Sequence, residues 1–401
     1  MQEQEKEEFE YVKEKIVRPG FFKRIRKKAG LIFGAILFAA VCILGTLYAT
    51  ELKKSKDEKE QTTQKESYLA IPTVKDTMHS KKDTTMEGEK SKKELGVVSI
   101  QIKKSVVDIS VYSAEEAKVG QKPDAVTSGV IIKKGVNVLI LTDYSTVHDG
   151  KRIEVTFGKD MCYEAKVKKD NSSMGIAILS VSGTEVKLDS LEEMPEVQIG
   201  NASWLREGQQ LIYIGSPIDA SLYTDSGNVT GLSKMNYVDG QVDIVQTNIP
   251  LAGTANGFLF NVEGELVGIL NENLPEAKVC VAAFMNQLTP TVEKLINGVA
   301  RPYLGINGEA VTDEIIEKTG EKMPYGVYVE NVMKSSPAYE AGIRNGDIIY
   351  QIGSTDVMDM DDIRNILDEV SAGDRVTVML KRYDVGTYRQ YSYEVILEEG
   401  K

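Results

Sequence analysis

The chain has 401 residues, enough for two or three domains, and 42% of them are hydrophobic, which suits ordinary packed cores. Its net charge of -12 disfavours a general nucleic-acid-binding role. Three cysteines make no disulfide framework, and no pair of histidines or cysteines stands at metal-ligand spacing, so neither a metal nor another cofactor is expected.

Residues 1–28 read as a short cytoplasmic tail, acidic first (Glu3, Glu5, Glu7, Glu8, Glu10) and basic at its end (Lys23, Arg24, Arg26, Lys27, Lys28). The uncharged segment 29–50 follows at once, with Leu31-Ile32-Phe33-Gly34-Ala35-Ile36-Leu37-Phe38 at its centre. It is long enough to cross a bilayer as a helix of about 20 residues, and too long for the apolar region of a cleavable signal peptide. Basic residues on its N-terminal side predict a single-pass signal anchor in the cell membrane, with everything after Thr50 outside the cytoplasm. Residues 51–95 are mostly Lys, Glu, Asp, Thr and Ser and predict a flexible linker, because they bury too little surface to offset their ordering entropy. Tyr68-Leu69-Ala70-Ile71-Pro72 is its one apolar island, too short for a core.

From Gly96 short apolar or alternating runs appear between turn signals. They lie at 97–102, 106–112, 130–132, 138–141, 153–157, 176–181, 210–214, 229–232, 242–247, 266–270 and 278–283, with a helical period only at 290–295. Many short strands in this spacing predict a mostly β barrel or sandwich domain over 96–300. A second domain opens at Arg301. In it Ser336 suits a helix cap, Pro337 the first turn and Gly342 the helix end, and Asp361 to Val370 reads as a further helix.

Several of these segments resemble the HtrA/Deg serine proteases. Gln246-Thr247-Asn248 … Gly253-Thr254-Ala255-Asn256-Gly257-Phe258-Leu259-Phe260-Asn261 … Gly264-Glu265-Leu266-Val267-Gly268-Ile269 is similar to the family's T-D-A … G-N-S-G-G-P-L-x-N … G-x-V-I-G-I. Thr127 to Ile132 and Val138 to Val147 resemble G-S-G-V-I-I and Y-I-L-T-N-x-H-V-V, and Gly175-Ile176-Ala177-Ile178-Leu179 resembles D-L-A-V-L. Leu205 to Gln209, Ile214 to Pro217 and Ser226 to Thr230 extend the likeness. The resemblance implies a trypsin-like double six-stranded β-barrel followed by one PDZ domain over 301–401, and trimers, homo- or heteromeric, as the family commonly forms.

The resemblance also places the triad on residues that lack its chemistry: Ser145 for the histidine, Gly175 for the aspartate and Ala255 for the serine. Serine attacks through its hydroxyl, a base must take that proton, and a carboxylate must orient the base. His79 and His148 are the only histidines, and His148 reads as a solvated loop residue beside the turn Asp149-Gly150. Thr254 and Ser216 are the hydroxyls nearest these motifs, with no base evident beside them, and Cys162 and Cys280 read as strand residues. The expected protein is a membrane-anchored pseudoprotease that binds peptide C-termini or unfolded segments in envelope protein quality control. Its rivals are an active endopeptidase with displaced catalytic groups and an inactive subunit of active relatives.

In the second domain Tyr303-Leu304-Gly305-Ile306 resembles the PDZ carboxylate-binding loop, where consecutive N–H groups converge on a terminal carboxylate. Ile363 and Leu367, on one face of the groove helix, are the candidate pocket residues beside it, although helical residues at this spacing also suit a core.

Overall fold

The computed structural model describes residues 69–71, 88–114, 121–158, 161–186, 192–216, 222–251, 256–275, 277–319 and 322–400. The expected tail, the apolar segment 29–50 and most of the linker lie outside the described residues. Among those that are described, no helix is long and apolar enough to cross a membrane.

Two closed six-stranded barrels carry the first domain. The first is built from β1 (Val106–Tyr112), β2 (Ala125–Lys134), β3 (Asn137–Asp143), β4 (Arg152–Phe157), β5 (Met161–Asn171) and β6 (Ile176–Ser182), in the order β1-β2-β3-β6-β5-β4. The second uses β7 (Gln210–Gly215), β8 (Tyr223–Tyr237), β9 (Gly240–Pro250), β10 (Gly257–Phe260), β11 (Leu266–Leu270) and β12 (Val279–Phe284), in the order β10-β11-β12-β9-β8-β7.

The unbroken apolar runs of the central strands follow from burial on both faces. Along β3, Val138 and Ile140 pack inside the first barrel with Ile109, Ala177 and Leu179. Their neighbours Leu139 and Leu141 belong instead to a second core with Ile176 and Ile178. The second barrel divides the same way: Leu211, Tyr213 and Leu259 fill it, while Ile212, Ile214, Phe258 and Phe260 join the shared core. Each such side chain contributes roughly 1.5–3 kcal/mol when fully buried, so the shared core holds the two barrels together.

Two elements of the N-terminal part differ from expectation. The run 97–102, expected as a strand, lies in helix α1 (Gly88–Lys103), which begins inside the expected linker. Leu95, Val98 and Ile102, at helical spacing, pack on the shared core, whereas Val97 and Ile100 are exposed. The apolar island at 69–71 adds to an existing core instead of forming one. Ile71 is buried, and the Leu69 and Ile71 N–H groups donate to Asn297 Oδ1 at 2.9 Å and Glu293 Oε1 at 3.1 Å.

Helix α2 (Tyr144–Val147) follows β3, and α3 (Met285–Ile296) leaves the second barrel with Leu288, Val292, Leu295 and Ile296 in the shared core. The second domain then comprises β13 (Pro302–Tyr303), β14 (Ile306–Ala310), α4 (Asp313–Thr319), β15 (Val327–Val332), α5 (Pro337–Ala341), β16 (Ile348–Ile352), β17 (Thr355–Asp356), α6 (Met360–Glu369), β18 (Arg375–Asp384), β19 (Thr387–Ile396) and β20 (Glu398–Glu399). Its sheet runs β14-β15-β16-β18-β19, with β17 on β16. Ser336 caps α5, Pro337 opens it and Gly342, at φ +102°, ends it, as the sequence predicts. At the start of α6, Asp359 accepts from the N–H groups of Asp361 and Asp362 in a reciprocal capping box.

Candidate functional site

Strand β3 ends at Asp143, whose buried carboxylate caps α2 and gathers donors. Its Oδ2 accepts from Ser145 Oγ at 2.8 Å, Thr146 N at 2.9 Å, Thr146 Oγ1 at 2.8 Å and Asn256 Nδ2 at 3.2 Å. The Tyr144 N–H donates to the Gly175 carbonyl at 3.0 Å, so the backbone brings position 145 beside position 175. Ala255 and Thr254 lie outside the described residues, but Asn256 is anchored here by Asp143 and Thr146. Positions 145 and 175 therefore lie side by side, and Asn256, which follows position 255 in the chain, is anchored at the same place.

The groups gathered there are hydroxyls, an amide and a carboxylate. Ser145 donates its proton to Asp143, and that oxygen is already shared by three other donors. At Gly175 the backbone is left-handed, φ +68°, and a Cβ would come within 2.7 Å of the Asn271 side chain. Asn271 is buried and donates to the Met174 carbonyl at 2.9 Å, so it is not free to move away. His148 stands at the surface, stacked on Tyr144, with Nδ1 2.9 Å from the Ser145 carbonyl and Nε2 3.0 Å from Asp149. Ser216 is buried. Cys162 is exposed and Cys280 buried, and both are free thiols. Burial pushes the Cys280 thiol up to about 12, the reverse of an activated thiolate. No cluster of metal-ligating side chains occurs among the described residues.

The second candidate site is the loop Tyr303-Leu304-Gly305-Ile306. Gly305 has φ +92° and lies against Ser336, and the N–H groups of residues 304 to 306 converge. They converge on Asp239, at the tip of the long β8–β9 hairpin of the second barrel. Leu304 N donates to its Oδ2, Ile306 N to its Oδ1 and Gly305 N to both, each at 2.8 Å. Asp239 is buried, which pushes its carboxyl above the usual carboxylate range, while these N–H groups and Arg301 pull it down.

The rest of the tip is held as well. The Asp239 N–H donates to the Ile306 carbonyl at 2.8 Å. Asn236 Nδ2 donates to the Gly308 carbonyl at 2.8 Å, and Arg364 of α6 donates to the Gln241 carbonyl at 2.7 Å. Arg301 donates to the Asp239 carbonyl at 3.0 Å and to Asp368 at 3.2 Å. Ile363 and Leu367 are fully buried members of the second domain's core. The α6 side chain that reaches the hairpin is Arg364. Asp239, Arg301 and Arg364 went unnoticed in the sequence, where Asp239-Gly240 carries only an ordinary turn signal.

Two family models match: a trypsin-like peptidase domain over residues 127–269 and a PDZ domain over 328–382. The chain is similar to the serine protease Do-like HtrB of Bacillus subtilis, 30% identical over 277 residues, covering 64% of this chain and 59% of that protein. It is 27% identical over 321 residues to a DegP-like periplasmic serine endoprotease of Rickettsia prowazekii, covering 76% of this chain and 58% of that one. The chain thus spans less than two thirds of the length of these relatives. Among solved structures, the HtrA-type protease AlgW with a decapeptide shares the fold with a TM-score of 0.52 at 17% identity, over 76% of this chain and 98% of that one. A serine endoprotease from Yersinia pestis does so with a TM-score of 0.51 at 22% identity, over 76% and 97%.

Proposed function

Since the chain belongs to the HtrA family, with a trypsin-like peptidase domain and a PDZ domain, we propose that it acts as a non-proteolytic, membrane-anchored binding protein outside the cytoplasm. In this reading residues 1–28 are the cytoplasmic tail, 29–50 the anchor and 51–95 the linker, with the protease-fold domain over 96–300 and the PDZ domain over 301–401. The PDZ domain takes peptide C-termini or unfolded segments, as a scaffold or sensor in envelope quality control. Support for the location comes from the basic run before residue 29 and from relatives described as periplasmic.

One observation carries the loss of catalysis. Gly175, at the family's aspartate position, has a left-handed backbone and no room for a side chain against Asn271. With Ser145 at the histidine position and Ala255 at the serine position, base, orienter and nucleophile are all replaced. Losing one triad member normally leaves only about 10³–10⁴-fold catalysis over water. The full chain, purified in detergent, is expected neither to hydrolyse unfolded casein nor to label with a serine-directed phosphonate. Proteolysis that survives purification and disappears in T254A or H148A would instead establish the active endopeptidase with displaced groups.

A further inference from the structure

Asp239 makes the contacts a peptide's last residue would make in a carboxylate loop. A carboxylate accepts from three consecutive N–H groups, Leu304, Gly305 and Ile306, and the same residue's N–H returns a bond to the Ile306 carbonyl. Here the carboxylate belongs to a side chain, because the chain does not end at 239. The backbone is shaped for this purpose: Asp239 sits at φ +63°, a left-handed turn that aspartate tolerates better than most residues. Asn236 and Arg364 fix the two hairpin strands against β14 and α6, the two elements on either side of the groove. The tip is therefore docked by both its carboxylate and its flanking backbone. Three inward-facing N–H groups that lost this partner would have to find another anion or water.

We infer that the β8–β9 hairpin is an internal ligand of the PDZ domain, with Asp239 standing in for a terminal carboxylate, so that an external C-terminus enters only by displacing it. The proposal rests on the reading of 301–401 as a C-terminus-binding domain. It adds a threshold: weak or abundant C-termini are refused, and only a ligand with enough additional contacts along β14 and α6 opens the site. Population-shift reasoning sets the scale, since a site open one part in a hundred lowers apparent affinity a hundredfold.

The test uses the full chain in detergent, as wild type, D239N and D239S. Asparagine keeps the left-handed turn, serine is small, and neither carries the charge. Amide hydrogen exchange is followed at residues 304 to 306 without any peptide. Binding is measured with fluorescein-labelled decapeptides, random except for a free C-terminal Val, Leu, Ile or Phe, beside their amidated forms. Both variants are expected to exchange at least about tenfold faster at 304 to 306 and to bind the free-acid peptides at least about tenfold more tightly. Unchanged exchange in the variants, or measurable but equal free-acid binding by wild type and variants, overturns the internal ligand. Faster exchange with no free-acid binding by any form upholds it and overturns the C-terminus-binding reading instead. Should both variants unfold, wild type decides: saturating free-acid peptide must speed exchange of the Asp239 amide, and an unchanged rate in the bound state refutes displacement.

Discussion

At Gly175 the backbone and its neighbour Asn271 together exclude any side chain. Its backbone adopts φ +68°, its carbonyl receives the Tyr144 N–H, and Asn271 fills the space a side chain would need. These contacts leave no space for a side chain at this position. G175A is expected to lower stability by about 2–4 kcal/mol, about 1 for a left-handed residue other than glycine and the remainder for the overlap with Asn271. Urea unfolding of the full chain measures it. Restoring all three groups together, S145H with G175D and A255S, should give a less stable protein with no gain in hydrolysis. Aspartate tolerates the left-handed turn but not the 2.7 Å approach. A triple variant as stable as its parent would mean that Asn271 yields easily and that the closed site does not bar an orienting carboxylate.

Among the elements, the loop at 303–306 carries its own control. Gly305 and Gly346 have nearly equal left-handed φ values, +92° and +90°, yet a Cβ at 305 would stand 2.2 Å from Ser336 Cβ while one at 346 meets open space. G346A should cost about 1 kcal/mol, the conformational share alone. G305V should cost several times more and speed hydrogen exchange of the residue 304 to 306 amides, because the N–H groups that hold the Asp239 carboxylate move apart. Comparable midpoints for the two variants in urea would mean that the loop is softer than its contacts suggest. Tyr303-Leu304-Gly305-Ile306 singles out this loop in the sequence, and ten of the twelve barrel strands fall on runs with the period and length of buried strands, β5 and β10 being the exceptions. Helix α1 was not legible in the sequence. Val97 to Ile102 carries β-branched residues in a short run, and only contact with the shared core selects the helical stripe Leu95, Val98, Ile102. Asp239 was hidden for another reason: a turn aspartate looks the same whether it faces water or a loop 65 residues away.

For the molecule as a whole, the decisive question is whether the PDZ domain is a loose appendage or part of one folding unit. Domains joined by a short connection move independently unless the surface between them is large or well tied. Here α3 runs from the shared core towards the second domain, and Lys294 donates to the Leu367 and Val370 carbonyls, satisfying the end of α6. Thr291 and Arg301 both reach Asp368, and the Arg301–Asp368 pair is almost wholly buried. Arg301 also donates to the Asp239 carbonyl, so one guanidinium joins groove helix, hairpin and connection. Removing one member of a buried pair leaves the other uncompensated and costs about 3–5 kcal/mol. The parent chain should therefore melt in calorimetry with barrels and PDZ domain in one transition, whereas R301M should release the PDZ domain as a separate, earlier one. Methionine keeps much of the arginine's apolar volume, so the effect reads the lost charge and hydrogen bonds rather than a cavity. Two transitions already present in the parent would show that these ties hold a geometry without coupling the stability of the two domains.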